Sequence, residues 1–205
     1  MAEVQPASKD ALGYRIKFGV IAPSTNTIVQ PEFGCMAPKG VTNHFSRIHV
    51  PDDPLGSDAD FEELMVRIRA ELMQAVDRVM TARPGAIVMG MSSETFWGGL
   101  AGSMELKAKL EARADGLPVA MGSDASQAAL KCYGDIKRIS VITPYMPVGD
   151  GEVRKFFGDC GFEVMAVTGL KCPSPTAIAH VDAKTLRDAV NEVNDPQVEA
   201  ILQVG

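Results

Sequence analysis

Small polar side chains follow a short apolar run near the middle of the chain. Residues Ala86–Gly99 read AIVMGMSSETFWGG. The apolar, partly β-branched run Ala86–Met89 predicts a buried strand. Gly90 ends it, and Ser92 to Thr95 then bring hydroxyl groups, a carboxylate and backbone amides together. Such groups suit an anion, because ligands of open α/β sheets bind beyond the carboxyl ends of the strands, where glycine lets the backbone approach closely.

The same stretch also fits an ordinary strand-to-helix loop. In that interpretation Ser92 or Ser93 caps the next helix, and Trp97, the only tryptophan, packs beneath the loop. Loops rich in serine and glycine are common between elements, so both interpretations stay open at this point. Glu94 is a candidate acid or base if the loop buries it, and otherwise a solvated charge.

The elements that must position these groups alternate between strand and helix patterns, which predicts βαβ units and a mainly parallel sheet. The predicted strands are Arg15–Ala22, Val41–Val50, Ala86–Met89, Pro118–Met121, Arg138–Thr143, Phe162–Thr168 and Glu199–Val204. The clearest predicted helix starts at Asp58 or Asp60 and runs to Pro84. The other predicted helices lie near Ser103–Ala114, Asp124–Tyr133, Val148–Cys160 and Ala183–Val193.

The alternation restarts after residue 134 and resembles an internal repeat. Phe18–Pro23 is similar to Ile139–Pro144, and Ala86–Gly90 is similar to Ala200–Gly205. Short apolar runs also match by chance, which is the alternative. The repeat predicts two halves whose strand ends share one cleft.

The repeat sets boundaries for the two halves. It predicts a first α/β half over residues 1–134 and a second over residues 135–205. Superposing them should bring Pro23 near Pro144 and Gly90 near Gly205. Since the first half continues beyond Gly90 through a loop, a helix and a strand, we expect the second half to be incomplete at its C-terminus.

Composition excludes several classes of function. The chain has 205 residues, 46% apolar and 22% charged, with a net charge of -6, as expected of a globular protein with a sizeable core. The acidic balance and the lack of lysine or arginine runs argue against a nucleic-acid surface. No apolar stretch reaches the roughly 18 residues of a membrane span, and the N-terminus lacks the apolar core of a signal peptide. We expect a cytoplasmic protein without a membrane or nucleic-acid partner.

No metal or nucleotide motif is apparent, so we predict no cofactor and no metal. His44 and His49 are five residues apart on a predicted strand and would point to opposite faces. Gly98–Gly102 misses both the dinucleotide and the P-loop spacing. The four cysteines lack close spacing, which predicts free thiols, two in helical core positions (Cys132 and Cys160) and two in loops (Cys35 and Cys172).

Three short motifs carry a resemblance to a known family. APSTNT over Ala22–Thr27, MGMS over Met89–Ser92 and TPY over Thr143–Tyr145 resemble the Asp/Glu racemase superfamily, in the branch of maleate cis-trans isomerases and arylmalonate decarboxylases. The resemblance implies two pseudo-symmetric, doubly wound parallel-sheet halves of flavodoxin-like type. It also implies a cofactor-free site between them for a small carboxylate.

The resemblance assigns roles to particular residues. Ser92, the adjacent amides and Tyr145 would form an oxyanion hole for a substrate carboxylate, because preorganised donors stabilise charge that develops there. The alternative for Tyr145 is an ordinary surface turn residue. Met91 and Trp97 would form an apolar wall. The residues expected to line the substrate are Pro23, Asn26, Gly90, Met91 and Gly205.

One departure from the family pattern limits the chemistry. Racemases and maleate isomerases of the superfamily use a cysteine in each half, at positions matched here by Gly90 and Gly205. Their replacement argues against two-base racemisation and cysteine-adduct isomerisation. We predict a cofactor-independent isomerase or decarboxylase of a small mono- or dicarboxylate, maleate-like or arylmalonate-like, that acts through an enediolate. The alternative is a catalytically silent carboxylate-binding or regulatory protein. Both interpretations are compatible with a homo-oligomer.

Overall fold

Strands and helices alternate along the described chain, residues 9–205 of the computed structural model. The strands are β1 (Ile16–Pro23), β2 (Val41–Ile48), β3 (Ala86–Met89), β4 (Val119–Ala120), β5 (Arg138–Thr143), β6 (Glu163–Gly169) and β7 (Ala200–Gln203). The helices are α1 (Val29–Met36), α2 (Asp58–Met80), α3 (Ser93–Phe96), α4 (Gly99–Arg113), α5 (Gly122–Cys132), α6 (Pro147–Asp159) and α7 (Ala183–Val193), with a 3-10 segment at Thr176–His180.

The strands form two sheets in which every pairing is parallel. The first sheet has the order β2-β1-β3-β4, and the second has the order β6-β5-β7. Parallel neighbours need crossover connections, and helices provide most of them. The predicted α/β class with two parallel-sheet halves is confirmed. The division at residue 134 into two domains stays a prediction.

Strands β3 and β5 and helix α7 have the predicted bounds, whereas three elements were not among the predicted ones. Helix α1 contains Pro31 and Gly34, which weaken a helical signal. Helix α3 has four residues and the 3-10 segment has five, and neither is long enough to show a helical period. Helix α4 starts at Gly99 rather than near Ser103, because its glycine-rich first turn carries no amphipathic signal.

Helix α2 is the longest helix and packs against both halves. The Ser57 hydroxyl accepts a hydrogen bond from the Asp60 amide at 3.2 Å, which satisfies one of the free N–H groups of the first turn. Its apolar stripe at three- and four-residue spacing is buried and includes Phe61, Met65, Ile68, Leu72 and Val76. The helix contacts β1 and β2 of the first half and α6 of the second.

Aromatic side chains join the two sheets in one core. Phe96 of α3 lies with its ring 5.1 Å from that of Phe156 and 5.7 Å from that of Phe157, both on α6. All three rings are fully buried. The short helix after β3 is therefore fixed by the second half as well as by its own sheet.

The predicted repeat is visible in the strand pairing of the two sheets, but its second segment is offset by one residue. Ile21 of β1 pairs with Met89, and Ile142 of β5 pairs with Gln203. The next amide after each pair donates to the central strand, from Gly90 at 2.7 Å and from Val204 at 2.9 Å. By hydrogen bonding the counterpart of Gly90 is thus Val204. The predicted equivalence of Gly90 with Gly205 is wrong by one residue, because the second run is one residue longer.

Candidate functional site

A cleft of about 490 Å³ opens beyond the carboxyl ends of β1, β3 and β5, and residues from both halves line it. Ends of parallel strands lie at the same edge of a sheet, which is where α/β proteins bind ligands. Its polar lining residues include Thr25, Asn26, Ser92, Ser93, Thr143 and Tyr145. Its apolar lining residues include Val50, Phe61, Leu64, Met91, Met146, Leu170, Ile178 and Leu186.

A loop from the first half contacts a loop from the second half beside this cleft. The Leu55 amide donates to the Pro173 carbonyl at 2.7 Å, and the Asp52 carboxylate accepts from the Thr176 amide at 2.9 Å. Leu55 itself lines the cleft, as does Pro175. The two loops therefore hold the halves together at the cleft.

Ser92 and Tyr145 meet across the two halves. Their hydroxyl groups share a short hydrogen bond in which either oxygen can donate. Ser92 stands at the N-cap position of α3, but its side chain makes no capping hydrogen bond. The capping interpretation is thus wrong for the Ser92 hydroxyl.

Tyr145 is only 4% exposed, so the surface-turn alternative is wrong. Its ring lies 5.5 Å from that of Phe61. Burial raises the pKa of the Tyr145 phenol, and the nearby Asp150 carboxylate raises it further, while the hydrogen bond with Ser92 lowers it. The phenol therefore stays protonated at neutral pH and keeps a proton to donate.

Pro23 and Asn26 line the cleft from the turn after β1. The Asn26 side-chain oxygen accepts from the amides of Ile28 and Val29, both at 2.9 Å. The Arg47 guanidinium donates to the carbonyls of Pro23 and Asn26 at 3.0 and 2.9 Å. The turn is thus closed by its own side chain on one side and by a cation on the other.

Gly90, Met91 and Gly205 also line the cleft. A side chain at Gly90 would place its Cβ 3.0 Å from Val20 Cγ1 and 3.2 Å from the Ile21 carbonyl oxygen. Gly205 has a φ of 101°, and a Cβ there would lie 2.6 Å from two carbons of the Pro144 ring. Both positions therefore favour glycine in this arrangement.

Several residues of the loop after β3 lie outside the cleft. Trp97 was expected in its wall, but it stacks on Phe61 at 6.2 Å behind the lining surface, with Arg69 5.3 Å from its ring. Glu94 is buried and binds Arg69 at 2.6 Å. Burial raises the pKa of Glu94, and the Arg69 hydrogen bond only partly offsets this effect.

The cysteines are placed differently from their prediction. Cys132 is exposed and so is not in the core as expected, whereas Cys160 is half-buried and packs against the core. Cys35 lies in helix α1 rather than in a loop, and it is exposed. Cys172 is buried and lines the cleft, and burial raises the pKa of its thiol. Sequence analysis missed this position because no motif surrounds it.

Phe61, Gly122 and Thr143 also line the cleft without having been predicted. A Cβ at Gly122, the first residue of α5, would lie at an ordinary contact distance of 3.8 Å from the Ser92 Cβ, so the start of this helix packs beside Ser92. Phe61 belongs to the apolar stripe of α2, which signals only burial. For Thr143, one indication of a place at the site was present in the sequence, which is its position near Tyr145 at a strand end.

Residues 9–205 contain neither a cluster of metal-ligating side chains nor a membrane-spanning helix. No group of three or more His, Cys, Asp or Glu side chains is arranged there to hold a metal ion. None of the helices described is long and apolar enough to cross a membrane.

Comparison with known proteins gives the chain a family. Similar solved structures include a maleate cis-trans isomerase variant from Nocardia farcinica with a covalent succinylcysteine intermediate (19% identity, TM-score 0.77, 90% of this chain and 76% of that one). A maleate isomerase variant from Pseudomonas putida S16 with maleate has 20% identity and a TM-score of 0.78, covering 91% and 76% of the two chains. A liganded variant of arylmalonate decarboxylase has 17% identity and a TM-score of 0.73, covering 91% and 76%.

These structures establish the fold, and sequence comparison establishes the family. No curated protein sequence shows significant similarity. The family model described as arylmalonate decarboxylase, however, matches residues 27–204, which is most of the chain. The chain therefore belongs to the arylmalonate decarboxylase family.

Proposed function

We propose that this protein is a cofactor-independent decarboxylase that removes one carboxylate from an arylmalonate-like acid. The observation that carries the proposal is the hydroxyl pair of Ser92 and Tyr145, which brings two donors from different halves to one point of the cleft. A substrate carboxylate that replaces their mutual hydrogen bond would accept from both. Membership of the family and the likeness to a liganded arylmalonate decarboxylase support this role.

The chemistry follows from where negative charge develops. When the bond to the leaving carboxylate breaks, its electron pair moves into the retained carboxylate and forms an enediolate. Donors that are already oriented towards this oxygen stabilise the added charge without reorganising. Carbon dioxide leaves, and a proton from water then adds to the α-carbon. Ser92 and Tyr145 hold the oxygen on which the charge accumulates, and in this scheme they are catalytic residues.

The lining favours an arylmalonate over maleate. Of the described residues that line the cleft, Glu32 is the only one with a charged side chain, so no cation is available to pair with a second carboxylate. A carboxylate next to apolar walls loses hydration, which promotes its departure as carbon dioxide. The apolar residues near Phe61 suit an aromatic substituent.

A second candidate is a carboxylate-binding protein without turnover on the same scaffold. It is favoured by the lack of a cysteine at the matched position of the second half, both at Gly205, where the resemblance implies one, and at Val204, the counterpart of Gly90 by hydrogen bonding. In this case the hydroxyl pair would bind the anion, but no proton would reach the α-carbon.

Incubation with phenylmalonate tests the proposal. Proton NMR should detect phenylacetate in the presence of the protein, whereas maleate should give little fumarate. Titration calorimetry with phenylmalonate runs in parallel. Binding without phenylacetate would select the second candidate, and neither binding nor product would contradict both.

Neighbouring serines provide a matched control. The Ser92→Ala variant should lower turnover or affinity by about one to two orders of magnitude, because a hydrogen bond to a charged group contributes about 1.5–3 kcal/mol. Ser93→Ala removes the adjacent hydroxyl, which starts α3, and should have a much smaller effect. Equal losses in the two variants would contradict the assigned role of Ser92.

A further inference from the structure

The Tyr145 backbone is held by a side chain from its own turn. The Tyr145 amide donates to the Thr143 hydroxyl oxygen at 3.1 Å. The same hydroxyl donates its proton to the Asp150 carboxylate on α6 in a short hydrogen bond. A hydroxyl group has a single proton. When the ionised Asp150 accepts a hydrogen bond from this proton, a lone pair of the Thr143 oxygen faces the Tyr145 amide.

The other polar groups of this turn are fixed by backbone contacts. The carbonyl of Thr143 accepts from the Leu170 amide at 2.8 Å, and that of Pro144 accepts from the Cys172 amide at 3.0 Å. These contacts do not change protonation state. Among the contacts described here, the link through Asp150 is the one that depends on a titratable group.

The end of β6 leaves room for the Asp150 carboxylate. A Cβ at Gly169 would lie 2.2 Å from Asp150 Oδ2 and 2.8 Å from the Tyr145 carbonyl oxygen. The φ of Gly169 lies outside the left-handed region, so alanine there would be crowded but its backbone would not be strained. The carboxylate thus occupies a space that a side chain on the neighbouring strand would close.

Charged groups from two other elements act on Asp150. Lys171, which follows β6, favours the ionised carboxylate, whereas Asp58 at the start of α2 disfavours it. Burial is the largest influence and raises the pKa of Asp150 above the ordinary range. The ionised carboxylate in turn raises the pKa of Tyr145, which helps to keep the phenol protonated.

We propose that Asp150 is a positioning residue that sets the direction of the Thr143 hydroxyl and thereby fixes Tyr145 for its contact with the substrate. This role rests on the proposed function, in which the Tyr145 phenol donates to the substrate carboxylate. Asp150 itself does not line the cleft. Its effect on the position of Tyr145 therefore passes through Thr143, while its charge also acts directly on the pKa of the phenol.

The pH dependence of the Asp150→Asn variant gives the first test. As the pH falls through the raised pKa of Asp150, the wild-type carboxylate is protonated. The neutral carboxyl accepts from Thr143 more weakly, and its own O–H competes for the Thr143 oxygen that the Tyr145 amide uses. Phenylmalonate turnover by the wild type should therefore fall relative to Asp150→Asn, which cannot titrate. Taking the ratio of the two proteins cancels the ionisation of phenylmalonate. Asp77→Asn, on an exposed part of α2, is the control. A constant ratio would overturn the proposal.

A double-mutant cycle gives the second test. Asp150→Ala should lower kcat/KM about tenfold, and Asp150→Asn should recover only part of this loss at neutral pH, because its neutral oxygen accepts the Thr143 hydrogen bond more weakly than a carboxylate does. In a Thr143→Val background, Asp150→Ala should cost less than twofold, since the group it acts through is absent. Additive losses would overturn the proposal. If Asp150→Ala fails to fold, Asp150→Leu takes its place, since leucine has a similar shape but no acceptor oxygen.

An activity-free measurement separates this proposal from the proposed function. The proton and nitrogen NMR shifts of the Tyr145 amide should follow the titration of Asp150 in the wild type and stay constant in Asp150→Asn. If phenylmalonate is neither bound nor converted, the proposed function fails, and this titration still tests the contact. An amide shift that is the same in both proteins would overturn the role of Asp150.

Discussion

The carboxyl ends of β1 and β5 each carry a proline, and the turns there both line the cleft, but side chains of opposite charge hold them. In the first half, the Arg47 cation donates to the carbonyls of Pro23 and Asn26. In the second half, the Asp150 anion accepts the proton of the Thr143 hydroxyl. A cation can fix only acceptors, and an anion can fix only donors.

This difference changes what each turn presents to the cleft. With its carbonyls held by Arg47, the first turn directs the Asn26 side-chain oxygen to its own backbone, at the amides of Ile28 and Val29. The second turn instead directs Tyr145 across to Ser92 in the other half. Two halves with the same strand pattern thus contribute differently: one turn is closed on itself, and the other supplies a donor.

Among the substitutions that test the difference between the two turns, Tyr145→Phe should have the largest effect on phenylmalonate binding or turnover. It removes the phenol hydroxyl but keeps the ring against Phe61. We expect affinity or turnover for phenylmalonate to fall about 10- to 100-fold, and the free energy of unfolding to change by only about 1 kcal/mol. Calorimetry and urea denaturation measure the two quantities. The exposed Tyr133→Phe serves as the control. An unchanged affinity would mean that the second turn supplies no donor.

Arg47→Ala should have an intermediate effect on both stability and turnover. The guanidinium also donates to the Gln30 side chain at 2.6 Å, so its loss frees three acceptors. We expect the free energy of unfolding to fall by about 1–2 kcal/mol and kcat/KM to fall about fivefold. Arg47→Lys should restore only part of each, because an ammonium lacks the forked geometry. If Arg47→Ala abolishes turnover without loss of stability, the first turn has a more direct role than its structure indicates.

Glu94→Gln should alter stability without altering turnover, in contrast to changes at Asp150. Burial raises the pKa of Glu94, so the folded state binds this proton more tightly than the unfolded state. Stability contributed by the protonated form is therefore lost as the pH rises from the ordinary pKa towards the raised one. Gln keeps the acceptor for Arg69 but does not titrate. Urea denaturation between pH 4 and 7 should show the wild type losing stability relative to the variant as the pH rises. The opposite slope would contradict the raised pKa.

Thiol alkylation should have the smallest effect. Cys35 and Cys132 are exposed and should react first, with turnover retained. Cys172 lines the cleft but is buried with a raised pKa, so its thiol is protonated at neutral pH and should react slowly. Mass spectrometry identifies the labelled residue at each time. If turnover is lost rapidly, phenylmalonate prevents the loss and the label is on Cys172, this thiol is a reactive group of the site and the prediction is wrong.

Local sequence patterns determined most of the secondary structure. Strands Ala86–Met89 and Arg138–Thr143 and helix Ala183–Val193 have the predicted bounds. The reason is that apolar periodicity and the turn residues at their ends act over a few residues. The pattern also placed Gly90, Ser92 and Tyr145 at strand ends. It failed for α3 and the 3-10 segment, which are too short to show a period, and for α1, whose proline and glycine weaken the helical signal.

The meeting of side chains from distant parts of the chain was decided by the tertiary structure. Ser92 and Tyr145 are 53 residues apart, and their contact depends on how the two sheets pack. The same packing buries Tyr145, which raises its pKa, and places Trp97 behind Phe61 rather than in the wall. The sequence alone determined which residues could act as donors at the strand ends. Which donors face each other, and which are protonated, followed only from distances and burial that no local pattern encodes.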